Sequence, residues 1–319
     1  LRTDTPETTP VDVSKLGFHV VTTQDVGAIA AHYEEALQLA RSGEEGDTVY
    51  LTTAGDHHSV AIRKGEPHGR AGLGFEIHGT LDETAERLTA AGIDFERRSD
   101  PEPGIGDAIV MSEFESGTPI TLYKNQGSSG VGSVVGVRPA KLGHIASFVE
   151  DLAAGHEFYL GVMGFRWADT IGDFFSFLRC NADHHVVNMM TSKKRHGLHH
   201  VAYEMRDFMH LKEMLDHLGA RDIRMAWGPG RHGVGHNIFT YHPDPDGNFI
   251  ELFTEIDMIA DEETGGRPAA GGRPRPHARA GPGPGAGRGG GGLAHARRRH
   301  PHRPPPVLAV RDPPPHPRR

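Results

Sequence analysis

The sequence predicts an α+β protein of four β-α-β-β-β modules paired into two domains, followed by a C-terminal tail without a fold of its own. Three observations predict it. The chain repeats itself without gaps: Leu16-Gly17-Phe18, Asp25-Val26 and Tyr33 align on Leu142-Gly143-His144, Asp151-Leu152 and Tyr159. A second strand-and-helix pair follows in each half, so the repeat unit is itself doubled. After Thr264 the composition changes abruptly to Gly, Pro, Arg, Ala and His.

Residues 1–14 read as a flexible lead-in; Leu1 to Val11 is polar and lacks the apolar stretch of a secretory signal. The first domain is expected over 15–125. It opens with a strand at Leu16-Gly17-Phe18 and a helix whose acidic Asp25 can cap it. Ala71 to Ile77 reads as a strand and Asp82 to Ala91 as an amphipathic helix, with further strands over 93–123 ending at Ile120-Thr121-Leu122. Gly127 to Gly136, inside a linker spanning 126–139, is Gly, Ser and Val. The second domain, 140–256, repeats the plan: His199 to Glu204 as strand, Asp207 to Leu218 as helix, and Ile238 to Phe253 as a closing hairpin. Asp244-Pro245-Asp246-Gly247 has the residue types of a tight reversal. Gly228-Pro229-Gly230 reads as a turn; no Lys-Ser/Thr follows, so it is not a phosphate loop. Residues 257–319 form the tail, which from about 265 has too little apolar surface to offset chain entropy and is expected to be disordered. Its composition also resembles an out-of-frame translation of GC-rich DNA.

The net charge of −8 conceals a split, because twelve Arg and one Asp give residues 265–319 a charge of +11 and leave −19 on the rest. A body that acidic argues against nucleic acid as its partner. No run approaches the roughly 18 apolar residues of a membrane span. Cys180 is the only cysteine, which excludes an internal disulfide and fits a cytoplasmic protein. In Phe177-Leu178-Arg179-Cys180 it reads as a small core residue.

The second domain holds the chemistry. His144 in Leu-Gly-His-Ile-Ala, His200 in Leu-His-His-Val-Ala and Glu251 in Asn-Phe-Ile-Glu-Leu-Phe each lie in a short apolar strand-like run. Two imidazoles and a carboxylate are the protein half of a facial triad, the set that holds non-haem Fe(II) with coordination positions left open. The matching positions of the first half carry Phe18, Gly72 or Leu73, and Thr121, none of them a useful ligand. One copy therefore carries the ligand types and the other is scaffold. A single histidine among the 23 of this chain would carry no such weight. Glu251 shares a face with Phe249 and Phe253, where a buried carboxylate is costly unless a cation or solvent relieves it.

Residues 140–256, with Leu-His-His-Val-Ala, Gly-Pro-Gly-Arg-His-Gly and Asp-Pro-Asp-Gly-Asn-Phe-Ile-Glu in that order, resemble the catalytic domain of the type I extradiol dioxygenases. These are catechol-cleaving members of the vicinal oxygen chelate (glyoxalase/bleomycin resistance/dioxygenase) superfamily, and their two-domain plan is similar over residues 15–256. The resemblance places the metal ligands on His144, His200 and Glu251. His200 is preferred over His199 because it matches the strand position of His144, strand alternation sending His199 to the opposite face. It places three further residues around the metal: His185, fifteen before His200; His232, nineteen before Glu251; and Tyr241, ten before Glu251. His184, His236 and His242 are read as ordinary residues.

The implied cofactor is Fe(II), with Mn(II) open on ligand identity alone. The implied reaction is O2-dependent extradiol cleavage of a catechol, through a lactone, to a ring-opened semialdehyde or keto-acid. His185 would serve as acid/base, with His232 and Tyr241 hydrogen-bonding the substrate oxygens. Family members often assemble as homo-oligomers. Some family members that cleave carboxylate-bearing catechols use an Arg in the loop before the His232 equivalent and an Asn two after the first metal His. Here that loop has Trp227, five residues before His232, and Ala146 follows His144 by two, so the resemblance implies no clamp for an anionic substituent. An apolar or bulky catechol is expected, with Trp227 and Phe175 or Phe177 as walls. Two other readings belong to the same superfamily: a metal-free drug-sequestering protein, and a glyoxalase- or epimerase-like metalloenzyme drawing ligands from both halves.

Overall fold

The computed structural model describes residues 9–66, 70–132 and 135–259. The start of the expected lead-in and the tail from residue 260 lie outside the described residues.

The first half runs β1 (Val13–Thr23), α1 (Val26–Glu35), β2 (Ala40–Glu45), β3 (Thr48–Thr52), β4 (Val60–Lys64), β5 (Arg70–Ile77), α2 (Leu81–Ala90), β6 (Glu96–Glu102), β7 (Ile105–Ser112) and β8 (Pro119–Tyr123). The second half runs β9 (Lys141–Val149), α3 (Leu152–His156, continued by a π-helical turn over Glu157–Val162), β10 (Arg166–Ile171), β11 (Phe175–Arg179), β12 (Val187–Thr191), β13 (Gly197–Glu204), α4 (Phe208–Gly219), β14 (Trp227–Arg231), β15 (Ile238–Pro243) and β16 (Phe249–Thr254). The element order is that of four β-α-β-β-β modules. Each half closes into one eight-stranded sheet, ordered β2-β3-β4-β1-β5-β8-β7-β6 and β10-β11-β12-β9-β13-β16-β15-β14. The two orders are the same permutation, so the duplication read from sequence is a duplication of topology.

Local chemistry sets the helix starts. The Asp25, Asp151 and Asp207 carboxylates accept hydrogen bonds from first-turn amides of α1, α3 and α4. α2 is capped differently. Thr80 caps it in a reciprocal capping box with Glu83, because a hydroxyl at that position can reach the Glu83 amide while the Glu83 carboxylate reaches back.

Helix faces and the outer faces of both sheets share one apolar core, which includes Ile29, Tyr33, Phe75, Tyr159, Phe165, Val201, Met214 and Leu252. The halves are cross-braced within it. Val11 donates its N–H to the Val162 carbonyl at 2.9 Å, Phe75 meets Phe165 edge-on at 5.8 Å, and His19 Nε2 lies 2.9 Å from the Tyr203 hydroxyl. Val11 and Val13 are buried, so the chain packs against the fold before residue 15.

One local reading changes. Gly228-Pro229-Gly230 is not a turn but the middle of edge strand β14, paired Trp227 to Tyr241 and Gly230 to Phe239 with an irregularity between them. An edge strand with a bulge tolerates the missing proline N–H, which is why turn-type composition misleads here. A second repeat also appears once the strands are matched: Lys15, Asp56, His57 and His58 occupy the positions of Lys141, Asp183, His184 and His185. Both Lys–Asp pairs and both His–His contacts form, with Nδ1 atoms 3.0 Å apart in the first half and 3.1 Å in the second. No helix among the described residues is long and apolar enough to cross a membrane.

Candidate metal centre

Strand register brings the three candidate ligands together. On β13, Ala202 is paired with His144 of β9 on one side and with Glu251 of β16 on the other, and Glu251 is paired with Tyr241 of β15. His144, Ala202, Glu251 and Tyr241 thus form one row across the inner face. His200, two residues from Ala202, shares that face. The small Ala202 side chain, fully buried, leaves the space into which the larger neighbours converge.

The resulting geometry is tight. Glu251 Oε2 is 3.0 Å from His144 Nε2 and 3.0 Å from His200 Nε2, and the two nitrogens are 3.2 Å apart. An octahedral centre with bonds of about 2.1 Å has neighbouring ligand atoms about 3.0 Å apart, so this triangle has the dimensions of one octahedral face. Among the described residues no other group of three His, Cys, Asp or Glu side chains approaches so closely. Without a cation the arrangement is awkward, since two imidazole N–H groups aimed at one carboxylate oxygen would also face each other.

All three side chains are almost wholly buried. Burial by itself would raise the Glu251 carboxyl, but the field of His144 and hydrogen bonds from His144 and His200 outweigh it and hold the group well below the usual carboxylate range. Burial lowers His200 against the pull of Glu251, which favours the neutral imidazole that a metal requires.

His199 corrects the strand-alternation expectation. β13 carries a bulge between Leu198 and His200, so the two rings do not lie on opposite faces. Their centroids are 4.8 Å apart and their Nδ1 atoms 2.6 Å apart. With His199 held neutral by burial, its pKa lowered to about 3, the His200 Nδ1–H can donate to it and leave Nε2 free to ligate.

The remaining expected residues surround the triangle. His185 is buried, with its ring 4.4 Å from that of His144 and its Nδ1 3.1 Å from His184 Nδ1. Tyr241 donates its O–H to Glu251 Oε2 at 2.8 Å, and His232 Nε2 is 3.2 Å from that hydroxyl. Burial, then the Glu251 charge, pushes Tyr241 well above its ordinary value and keeps it a phenol. Asn237 was not singled out from sequence: it is fully buried and donates its amide to Glu251 Oε1 at 3.0 Å. Its place just before β15, two and four residues ahead of Phe239 and Tyr241 in the alternation of that strand, was the available signal. Cys180 is a core residue as expected, its thiol pushed up to about 12 by burial.

Aromatic walls flank the site. Trp227 stacks on Tyr241 at 5.4 Å, and His232 lies 3.7 Å over Phe239. Opposite them, Phe175 and Phe177 pack at 4.3 Å, and Phe177 meets His185 at 5.2 Å.

The first half shows what the scaffold copy has done with the same space. The register there places Phe18, Gly74 and Thr121 in one row, with Gly72 at the position of His200. The Phe18 ring covers Gly74 so closely that a Cβ there would be 1.9 Å from it, so Phe18 fills the volume that the triangle encloses in the second half.

Residues 141–252 match the Glyoxalase/Bleomycin resistance protein/Dioxygenase superfamily. Among characterised relatives the chain is 31% identical over 125 residues to metapyrocatechase 2 of Cupriavidus necator, a match covering 39% of each chain. It is 25% identical over 279 residues to the manganese-dependent 2,3-dihydroxybiphenyl 1,2-dioxygenase of Geobacillus genomosp. 3, covering 79% of this chain and 88% of that one. In fold it is similar to homoprotocatechuate 2,3-dioxygenase of Arthrobacter globiformis, with a TM-score of 0.73, 23% identity, and coverage of 81% and 85%.

Proposed function

We propose that the protein is an extradiol ring-cleaving dioxygenase that holds a divalent metal on His144, His200 and Glu251 and opens an apolar or bulky catechol with O2. The observation that carries this is the triangle of 3.0, 3.0 and 3.2 Å among one carboxylate oxygen and two imidazole nitrogens. The relatives named above support the reaction class. Both Fe(II) and Mn(II) suit two neutral imidazoles and a carboxylate, and we assign Fe(II) as the working metal.

When bound, the metal would bring a catechol and O2 together at its open positions and help carry the charge of the ionised diol. The protein's own groups do the rest. His185, buried with its ring 4.4 Å from that of His144, is the imidazole placed to take a proton from substrate; burial and then His144 push its pKa well below the ordinary value, so it rests neutral and readily returns a proton it has taken. Tyr241 and His232 lie on the Glu251 side of the triangle, where a phenol O–H and an imidazole can hydrogen-bond a substrate oxygen and fix which one loses its proton. Trp227, Phe239, Phe175 and Phe177 offer ring faces to an aromatic substituent and exclude water from the reacting atoms.

The test is anaerobic reconstitution with Fe(II) and, in parallel, Mn(II), followed by a panel of catechols and air. A yellow ring-opened product is expected, with aryl- or alkyl-substituted catechols preferred to homoprotocatechuate. Absence of product with every catechol under both metals sinks the reaction; a preference for the carboxylate-bearing substrate sinks the substrate class.

A further inference from the structure

We infer that Asn237 is a positioning residue that reserves one oxygen of Glu251, so that the carboxylate meets the metal through Oε2 alone and a coordination position stays open. This rests on the metal-holding reading above.

The two Glu251 oxygens are treated differently by their surroundings. Oε2 is shared: it lies 3.0 Å from both imidazole nitrogens and accepts the Tyr241 hydroxyl at 2.8 Å. Oε1 points away from the triangle and accepts the Asn237 amide at 3.0 Å, with His232 Nε2 at 3.6 Å. Asn237 is well placed to impose this choice. It is fully buried, and its carbonyl accepts the His232 N–H at 3.0 Å, which ties the loop carrying His232 to the start of β15. An ionised carboxylate accepts only, so the group facing Oε1 must be the NH2 end of the amide.

The count of ligands gives the choice a consequence. Three protein atoms, two catechol oxygens and O2 fill an octahedral centre. A carboxylate free to rotate can bind through both oxygens and would then take the place left for O2. Holding Oε1 in a hydrogen bond prevents that at the cost of one buried amide, the kind of outer contact that governs how ligands present themselves.

Two variants separate this role from simple packing. Asn237→Leu keeps the volume and removes the donor, whereas Asn237→Ser loses volume but keeps a hydroxyl donor. Each is loaded anaerobically with Fe(II) and catechol, then titrated with nitric oxide as an O2 surrogate and followed by the EPR signal of the ferrous nitrosyl. Metal content and the thermal midpoint are measured alongside. Asn237→Leu should weaken nitric oxide binding per bound iron by about tenfold or more, with Asn237→Ser closer to the parent protein. The proposal is overturned if Asn237→Leu binds nitric oxide per iron as the parent does, or if Asn237→Ser is the more impaired, which is the order a cavity would produce. A parent protein that takes up no iron would instead fail the metal-holding reading itself.

Discussion

Replacing Glu251 with Gln removes one charge from the centre of the site and almost none of its volume. The consequence can be worked from the geometry. Glu251 Oε2 sits 3.0 Å from each imidazole nitrogen, in a side chain only 1% exposed, so water cannot substitute for the lost charge. Structural sites with four ligands bind metal with about 10–16 kcal/mol, or roughly 3 kcal/mol for each ligand. At about 1.4 kcal/mol per factor of ten, Glu251→Gln should weaken Fe(II) binding by roughly a hundredfold. The metal-free protein should change far less, because the Gln carbonyl still accepts the Tyr241 hydroxyl and Asn237 can reverse its amide; about 1 kcal/mol is expected. Competition with a chromogenic chelator under anaerobic conditions measures the affinity. The thermal midpoint with saturating metal should lose the equivalent of about 2.7 kcal/mol of ligand stabilisation. Iron affinity within a factor of about three of the parent would show that Glu251 is not a ligand.

The other predictions concern separate parts of the molecule. His32 of α1 and His242 of β15 meet across the two halves with ring centroids 5.4 Å apart, and burial followed by the proximity of His32 lowers His242 to about 3. The unfolded chain takes up this proton below about pH 6.5 while the folded protein does not. Stability should therefore fall as pH drops below 6.5, by about 1.4 kcal/mol for His242 at pH 5.5, equivalent to about 3–6 °C in the thermal midpoint. His242→Met, which installs the residue type found at the equivalent Met111, should flatten that dependence; an unchanged slope would locate the acid sensitivity elsewhere. Trp227→Ala should raise KM for aryl-substituted catechols by about tenfold and leave unsubstituted catechol nearly unaffected, since only a substituent can reach the stacked Trp227–Tyr241 pair. Removing residues 265–319 should leave metal binding and turnover intact, because a Gly-, Pro- and Arg-rich composition offers too few apolar residues to build a core; loss of activity in this truncation would give the tail a role.

The sequence by itself determined the features that neighbours along the chain decide. Aspartates before three of the helices, the Asp-Pro-Asp-Gly reversal and the repeated Leu-Gly-His and Leu-Gly-Phe openings carry their meaning within a few residues. The duplicated plan was legible because both copies obey the same local rules. The site was legible as residue types: two His and one Glu, set at matched strand positions of one copy and missing from the other.

Only the tertiary structure decided how these groups meet. His144 and His200 are 56 residues apart and His144 and Glu251 are 107 apart, and what makes them neighbours is the pairing of both with Ala202 across β13. Register is a property of facing strands, set by which faces the core must cover, so no single stretch encodes it. The bulge that swings His199 beside His200, the strand that absorbs Gly228-Pro229-Gly230 and the amide of Asn237 on Glu251 all follow from that pairing. Each is a local exception enforced by a distant partner, and burial then turns three ordinary side chains into one site with a shared, solvent-excluded electrostatic environment.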